Sequence, residues 1–518
     1  MIILIPKILF WIEGATIHFG IAKFLQDKLN CDLYGIIDVN SEKEFFEEQK
    51  IVNFKKIWFY RDEIIRRNSI EPEYLKKTEE EYKIDLLKVV YSDVWLHKYN
   101  NYYKYSFEEI KKILENDCMF FERVLDEIKP DYLVIRMSDA SHMELLQMLC
   151  KAKGVKILTL GPSRLGHRSL ISEHIDRFDK NDSMKSSKDY TFGEGWPSDD
   201  VLKLMEGSVA KSIPMDHEVF VKTYDFLFTS KQESEERKKF KANKMGWVNG
   251  VIHFSSLILN PEYSKYYRHF GMNLFSVIKN EMETAWKRKC GEKFIDKNLR
   301  KNIPEGKFIY FPLHLEPERT TRIAAPFFAN QLEIIRNIAK SIPIDHEVFV
   351  KEHPMQKLKD WRKISWYKEI IEMPNVELFH PSVSSHEMIK KSSLVMSING
   401  TSAMEAAFYK KPSILFADTI FSELPSVLKV NSWEELPDLI RKALTTEINF
   451  SDINKFLNKL VNSSFDMDEL KLELKFLDRF YYGGYLLDSK ISEEDLRSFL
   501  EENKDELSIL ADAHLKYI

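Results

Sequence analysis

LVMSINGTSAMEAAFYKKP, residues 394–412, has the pattern of a buried strand followed by a glycine turn and a helix. The apolar run Leu394–Ile398 predicts the strand, which stops at Asn399, and Thr401 and Ser402 stand where the helix would begin. The unpaired amides and positive dipole of a helix start attract an anion, and Gly400 lets a phosphate approach the backbone. Glu405, on the same helix, is within reach of a sugar hydroxyl. An ordinary strand–helix unit with a capped helix is the alternative interpretation.

Short apolar strands alternate with helical segments in two separate parts of the chain. The first part contains the strand–helix–strand units 2–38 and 132–160, and the second runs from about residue 307 to residue 447. Strands that alternate with helices form parallel sheets, so the pattern predicts an α/β fold. Because 518 residues are too many for one hydrophobic core, two domains plus additional segments are expected.

The composition is typical of a folded chain in water, with 44% hydrophobic and 30% charged residues. The four cysteines match no metal-binding spacing and are expected to be reduced thiols. The apolar start of the chain lacks the basic region and the cleavage site of a signal peptide, and no apolar run reaches membrane-spanning length. A cytoplasmic protein is therefore expected.

The net charge of −5 is unevenly distributed along the sequence. Residues 238–301 contain 14 Lys and Arg against 5 Asp and Glu, interleaved with aromatic and aliphatic residues. One interpretation is docking on an anionic membrane surface or a polyanionic chain, which would place the protein at the cytoplasmic face of the membrane. A solvated face on ordinary helices is the other. A nucleic-acid partner is not expected, because no recognised binding motif accompanies the charge.

Two further motifs combine polar side chains with strand ends in the second half of the chain. Lys351-Glu352-His353-Pro354 follows a strand, and Pro354 favours an extended backbone for His353, whose ring can donate to a phosphate. The loop 313–321 holds His314, Glu316, Glu318 and Arg319 within a few residues, which suits a polar ligand. The alternatives are a structural histidine and a solvent-facing loop.

Polar residues also follow strands in the first half of the chain. A general base or nucleophile at such a position could meet an anomeric carbon, and Glu13 and Asp139 are the candidates. Asp139 could instead cap the following helix, and Glu13 could pair with a helix dipole. The acceptor-side candidates are His18 and, in the loop after a strand, Arg164 and His167.

The motifs FPLHLEPERTT (311–321), VKEHP (350–354) and NGTSAMEAAFYKKPSI (399–414) together resemble the capsule polysaccharide biosynthesis family. Its members are similar to capsular Kdo-type glycosyltransferases of the GT-B fold. The resemblance implies two Rossmann-like domains facing a cleft, with a nucleotide sugar as co-substrate and no further cofactor. The implied divisions are an N-terminal acceptor domain 1–170, a basic helical insertion 171–305, a nucleotide-sugar domain 306–447 and a helical tail 448–518.

The resemblance also implies roles for the residues of the second half. His353 would contact the donor phosphate together with the turn 400–402, Lys351 would add charge, and Glu405 would lie near the ribose. The loop 316–321 would lie near the donor sugar. Without an Asp-x-Asp motif at a strand end, metal independence is the expectation, with amides and cations neutralising the leaving group.

The sequence leaves three functions open. The first is transfer of a sugar from a nucleotide-activated donor, with CMP-Kdo or a related acid sugar as the candidate, to a polysaccharide or glycolipid acceptor. The second is CDP-polyol phosphotransfer of the teichoic-acid kind, which shares the fold and a His-Pro element. The third is a non-catalytic assembly protein that docks on a membrane. A near-identical repeat, 210–222 and 339–351, has no physical explanation in the sequence.

Overall fold

The structure is a computed structural model. It describes residues 5–39, 42–65, 71–93, 96, 100–138, 140–165, 168–179, 255, 259–359, 361–481 and 490–518. The first copy of the repeat and the basic residues 238–254 lie outside the described residues.

The strands of the described residues form two sheets. Their bounds are β1 Lys7–Ile12, β2 Asp32–Ile37, β3 Phe54–Phe59, β4 Tyr132–Arg136, β5 Lys156–Pro162, β6 Arg168–Ser172, β7 Phe308–Pro312, β8 Glu347–Lys351, β9 Val376–Phe379, β10 Leu394–Ser397, β11 Ser413–Leu415, β12 Val427–Lys429 and β13 Phe465–Asp466.

Helices connect these strands and cover both sheets. Their bounds are α1 Ile17–Lys28, α2 Lys43–Glu48, α3 Tyr60–Ile65, α4 Pro72–Tyr82, α5 Leu86–Ser92, α6 Phe107–Ile128, α7 Ser141–Ala152, α8 Pro261–His269, α9 Leu274–Asn298, α10 Arg319–Arg322, α11 Gln331–Ser341, α12 Gln356–Lys359, α13 Ile364–Ile371, α14 Ser385–Lys391, α15 Ser402–Phe408, α16 Leu436–Leu444, α17 Phe450–Asn462, α18 Glu469–Phe480, α19 Glu493–Glu502 and α20 Lys504–Leu515. Short 3₁₀ turns occupy Pro326–Phe328 and Ile420–Glu423.

The first sheet has the order β13-β6-β5-β4-β1-β2-β3. Strands β1 to β5 are parallel, and β6 and β13 add an antiparallel edge. Central strand β1 is apolar on both faces, with Phe10 in one core cluster and Trp11 in the other. A strand buried on both faces is typical of a parallel sheet with helices on each side.

The second sheet, β12-β11-β10-β7-β8-β9, is parallel throughout. Its central strands alternate between two clusters in the same way, with Ile309 in one cluster and Tyr310 in the other. The prediction of an α/β fold with two Rossmann-like domains is therefore confirmed.

The last helices of the chain return to the first domain. The core cluster on one face of the first sheet includes Leu500 of α19 and Leu507 of α20. Gly20 of α1 permits this approach, because a Cβ on Gly20 would lie 2.6 Å from a methyl carbon of Leu507. The chain also crosses back through β13, which pairs with β6.

Helix α9 spans the two domains. At its start, Asn280 donates to the Tyr102 hydroxyl of the first domain (3.1 Å). Near its end, Gly291 lies against Trp361 of the second domain, where a Cβ would come within 2.4 Å of the Trp361 ring. Among the described residues, no helix has the length and apolar character needed to cross a bilayer.

Strand β3 forms one edge of the first sheet, where the exposed Lys55 and Lys56 suit an edge strand. Strands β5 and β6 pair antiparallel, and the predicted loop residue Arg164 lies in the connection between them. Arg168 of β6 donates to the Ser464 carbonyl oxygen (2.6 Å).

Candidate functional site

The three polar motifs of the second half meet at one edge of the second sheet. Strand β7 lies between β10 and β8, and all three are parallel, so their carboxyl ends point the same way. His314 follows β7, His353 follows β8 and Gly400 follows β10. Ligands of open α/β sheets bind at this edge.

The turn after β10 is held by the side chain of Ser397. Its Oγ accepts a hydrogen bond from the Gly400 amide (3.1 Å) and lies 3.0 Å from Nε2 of His314. A Cβ on Gly400 would come within 2.6 Å of that Oγ. Glycine is therefore required by close packing, and the turn and His314 are held as one unit.

The helix after this turn begins with two hydroxyl groups. Thr401 Oγ1 donates to Glu405 Oε1 (2.8 Å). The Ser402 hydroxyl is buried and has no hydrogen-bond partner among the described residues. Asn399 is also buried. A buried hydroxyl without a partner costs free energy, which a ligand oxygen would recover.

Both histidines at this edge are neutral at pH 7. Burial, assisted by neighbouring charges, lowers the pKa of His353 to about 4 and that of His314 to about 3. The Met355 amide donates to Nδ1 of His353 (3.2 Å), so the ring proton sits on Nε2. His353 thus presents an N–H donor without a net charge.

Lys351 and Glu405 are both buried and influence each other electrostatically. Burial lowers the pKa of Lys351 to about 8 and raises the pKa of Glu405 to about 7. Lys351 Nζ donates to Ser385 Oγ (2.9 Å). Both groups therefore titrate near neutral pH, and an anion at the turn would favour the charged form of Lys351.

Arg362, a buried arginine that the sequence analysis did not identify, contacts residues of two of the motifs. Arg362 contacts Glu352 (Nε to Oε2, 2.9 Å) and Glu316 (Nη1 to Oε2, 3.0 Å). Glu352 is fully buried and also accepts from the His353 amide (2.5 Å) and the Tyr367 hydroxyl (2.6 Å). Glu316, expected near the donor sugar, is placed as a partner of Arg362.

The loop after β7 crosses to the first domain. Arg319 donates to the Ser138 carbonyl oxygen (2.8 Å) and to both carboxylate oxygens of Asp176 (3.2 and 2.6 Å). Glu318 and Arg164 belong to the same cluster, where burial lowers the pKa of Arg164 despite Asp176 and Glu318. The loop therefore ties the domains together beside the site.

The first domain has a cavity of about 530 Å³ at the carboxyl ends of its strands. Its walls include Glu13 after β1, Asp38 after β2, Arg61 after β3 and Arg136 at the end of β4. Glu13 Oε2 lies 2.7 Å from Arg136 Nε, and its other oxygen accepts from the Trp11 indole (3.1 Å). Glu13 is thus placed in a cavity wall with a fixed orientation.

Carboxylates that the sequence did not single out also line this cavity. Burial raises the pKa of Asp117 to about 7, and the carboxylate accepts from the Tyr60 hydroxyl (2.9 Å). His142 stacks on the Tyr60 ring at 4.5 Å. Burial opposes ionisation of Asp38, but Arg61 and His142 hold its pKa at about 2. Carboxylates can accept hydrogen bonds from sugar hydroxyls, and the aromatic rings beside them can stack on a sugar face.

The remaining predicted residues lie elsewhere. His18 is buried beside His514 and Arg136, is absent from the cavity wall, and has its pKa lowered by burial to about 3. Asp139 and His167 lie outside the described residues. Within the residues the structure describes, no cluster of three His, Cys, Asp or Glu side chains could hold a metal ion.

Comparison with known proteins confirms the resemblance found in the sequence. The family model described as "Capsule polysaccharide biosynthesis protein" matches residues 208–424, which include all three motifs. A search of curated proteins gave no match.

A search of solved structures also returned matches with low TM-scores. UDP-GlcNAc 2-epimerase from Methanocaldococcus jannaschii is 14% identical, with 86% of this chain and 94% of that chain covered and a TM-score of 0.23. The KpsC β-Kdo 2,7 transferase from Thermosulfurimonas dismutans is 10% identical, with 77% and 90% covered and a TM-score of 0.27. The β-Kdo 2,4 transferase of the same KpsC is 9% identical, with 34% and 55% covered and a TM-score of 0.23.

Proposed function

We propose that the protein is a metal-independent glycosyltransferase of the GT-B type. It transfers a sugar from a nucleotide-activated donor, with CMP-Kdo or a related acid sugar as the candidate, to a growing capsular polysaccharide or a glycolipid. The observation that carries this proposal is the meeting of His314, His353 and the Gly400 turn on three neighbouring strands. The match of residues 208–424 to the capsule family supports it.

In this proposal the second domain holds the donor and stabilises the leaving nucleotide. The Nε2–H of His353, the hydroxyl of Ser402 and the amides of the turn donate to the phosphate oxygens. Lys351 supplies positive charge as negative charge develops on the leaving group. Glu405, which accepts a hydrogen bond from Thr401, lies near the nucleotide's ribose.

The first domain holds the acceptor in the cavity beside Glu13. Glu13 or Asp139 serves as the carboxylate that meets the anomeric carbon or activates the acceptor hydroxyl. The fixed contacts of Glu13 to Arg136 and Trp11 support its candidacy, because a reacting carboxylate needs a defined orientation.

We also propose that the protein works in the cytoplasm. All four cysteines are free thiols, which suits a reducing compartment.

A thermal-shift panel with CMP, CDP, UDP and GDP tests the donor class. The nucleotide of the true donor should raise the melting temperature by mass action. His353→Ala and Glu405→Ala should lose most nucleotide release from the donor while remaining folded. The matched controls, His346→Ala and Glu347→Ala at the opposite end of β8, should retain it. Equal turnover in all four variants would refute the site assignment.

The mass of the product separates sugar transfer from the phosphotransfer alternative. A CDP-polyol phosphotransferase would add phosphorus to the acceptor, whereas a glycosyltransferase adds only the sugar. If no nucleotide binds, the non-catalytic assembly function becomes the better interpretation.

A further inference from the structure

Helix α9 carries an apolar row on its exposed side. Phe275, Ile278, Met282 and Trp286 are 78%, 52%, 70% and 68% exposed, although large apolar side chains are usually buried. Their spacing of three, four and four residues keeps them on one face of the helix. A contiguous exposed row of this kind marks an interaction surface.

A row of lysines continues the same face toward the end of the helix. Lys289, Lys293 and Lys297 are all exposed and follow Trp286 at the same spacing of three, four and four residues. Together the seven positions repeat every 11 residues, or about 3.67 residues per turn, which keeps them nearly in line along an α-helix. We call these seven residues the α9 stripe. Asp296 lies on the same face and contacts Lys301 (3.5 Å) and Nε2 of His380 (3.1 Å).

The opposite side of α9 holds it against the protein. Thr284, Gly291, Ile295 and Leu299 are buried there. The helix is thus anchored to both domains by one face while it presents the α9 stripe to solvent. Packing of the helix does not require the stripe residues, so their exposed apolar area calls for a partner.

We propose that the α9 stripe docks on an anionic phospholipid surface. Phe275, Ile278, Met282 and Trp286 would enter the boundary between headgroups and acyl chains, and the lysines would contact the phosphates. The charges favour a lipid surface over a second copy of the chain as the partner. Parallel pairing of two stripes would place lysines opposite lysines, and antiparallel pairing would place lysines opposite apolar side chains. The combination of Trp286 with the lysines of the stripe is also typical of helices that lie at a membrane interface.

Docking through α9 would also place the first-domain cavity relative to the lipid surface. What this means for the acceptor rests on the proposed function. His269 and Phe270, just before α9, form part of the wall of the first-domain cavity. A helix held on a lipid surface would therefore keep the cavity close to that surface. The acceptor class that fits is a glycan still attached to a lipid.

Vesicle co-sedimentation of the full chain tests the proposal. Vesicles of phosphatidylcholine with about 30 mol% phosphatidylglycerol should bind the protein at least tenfold better than phosphatidylcholine alone, and added salt should reduce the binding. Bound protein should show quenching by brominated lipid that is smaller in Trp286→Phe. Equal binding to both vesicle types, or none, would overturn the proposal.

Two combined variants separate the apolar and cationic parts of the stripe. Phe275→Ser with Met282→Ser and Trp286→Ser, and separately Lys289→Gln with Lys293→Gln and Lys297→Gln, should each weaken vesicle binding at least tenfold. The matched controls are Phe327→Ser, at 85% exposed, and Lys455→Gln, whose side chain is 77% exposed. Unfolding midpoints equal to that of the unaltered chain establish that the variants are folded. Vesicle binding unchanged in both variants would refute the role of α9.

Further measurements separate other partners and the proposed function itself. If light scattering shows a dimer that the serine variant abolishes while vesicle binding persists, the stripe is a protein interface. If soluble polysialic acid binds as tightly as the vesicles, a polyanionic chain is the partner. Nucleotide-induced thermal shifts should be unchanged in both variants. Vesicle binding without any nucleotide binding would leave the docking standing and remove the glycosyltransferase proposal.

Discussion

Replacing Glu352 by glutamine is expected to destabilise the second domain by about 3–5 kcal/mol. Three donors converge on this fully buried carboxylate: the Arg362 guanidinium, the Tyr367 hydroxyl and the His353 amide. Glutamine has the same shape but keeps a single acceptor oxygen, so about two of these bonds are lost. Bonds to a charged group contribute about 1.5–3 kcal/mol each, so two of them give about 3–6 kcal/mol, which overlaps the cost of breaking a buried ion pair.

Urea unfolding followed by tryptophan fluorescence measures this loss. Trp366 is a local reporter, because the Arg362 guanidinium lies 4.9 Å from the centre of its ring. The matched control is Glu347→Gln, an exposed position at the start of β8, the strand that Glu352 follows; it should change the free energy of unfolding by less than about 0.5 kcal/mol. Nucleotide affinity should fall only in Glu352→Gln, because the His353 backbone loses its anchor. A loss below about 1 kcal/mol, or one equal to the control, would refute the reasoning.

Three other perturbations test separate parts of the site. Because the pKa of Lys351 is about 8, its neutral fraction rises from about 0.1 at pH 7 to about 0.9 at pH 9, and nucleotide binding should take up that fraction of a proton. Calorimetry in buffers of different ionisation enthalpy measures this uptake. The permanently charged Lys351→Arg should take up less, because Glu405 remains as a titrating group, and equal uptake at pH 9 would contradict the assignment. Gly400→Ala should lower unfolding stability by about 1–3 kcal/mol, because its Cβ would meet Ser397 Oγ at 2.6 Å; a wild-type midpoint would argue against the close packing. Arg319→Gln and Asp176→Asn should each increase hydrogen exchange at the domain interface, with a coupling energy of about 1–2 kcal/mol in the double variant, whereas additive effects would mean that the pair is not formed.

Local signals were enough to predict the elements around the site. The predicted strand at 394–398 and the helix start at Ser402 correspond to β10 and α15, because an apolar run, a glycine and hydroxyl residues act over a few positions. The same reasoning placed the alternating strands and helices of the second half between about residue 307 and residue 447, where β7 to β12 lie. Strands β10, β7 and β8 are adjacent in the sheet, so the three motifs that follow them lie side by side.

The supporting residues were not predictable in the same way. From its sequence neighbours Trp361 and Lys363, Arg362 would be taken for an ordinary surface arginine. Its buried contact is with Glu316, which is distant in the sequence. Asp117 did leave a signal that was overlooked: it falls on the apolar spacing between Leu114 and Phe121 of α6, so burial could have been inferred. Long-range charge pairing needs the fold, whereas a polar residue on an apolar helix face does not.

The return of α19 and α20 to the first domain has a consequence for synthesis on the ribosome. The first sheet is translated early except for β13, but α19 and α20, which complete the cover of one of its faces, are translated after the whole second domain. At about 5–20 residues per second, roughly 350 residues must follow β6, so that face waits about 20–70 s for its cover. During that interval the nascent chain exposes an unfinished apolar surface. Stalled or shortened chains should therefore need chaperones, even when every residue of the two strand-end sites has been made.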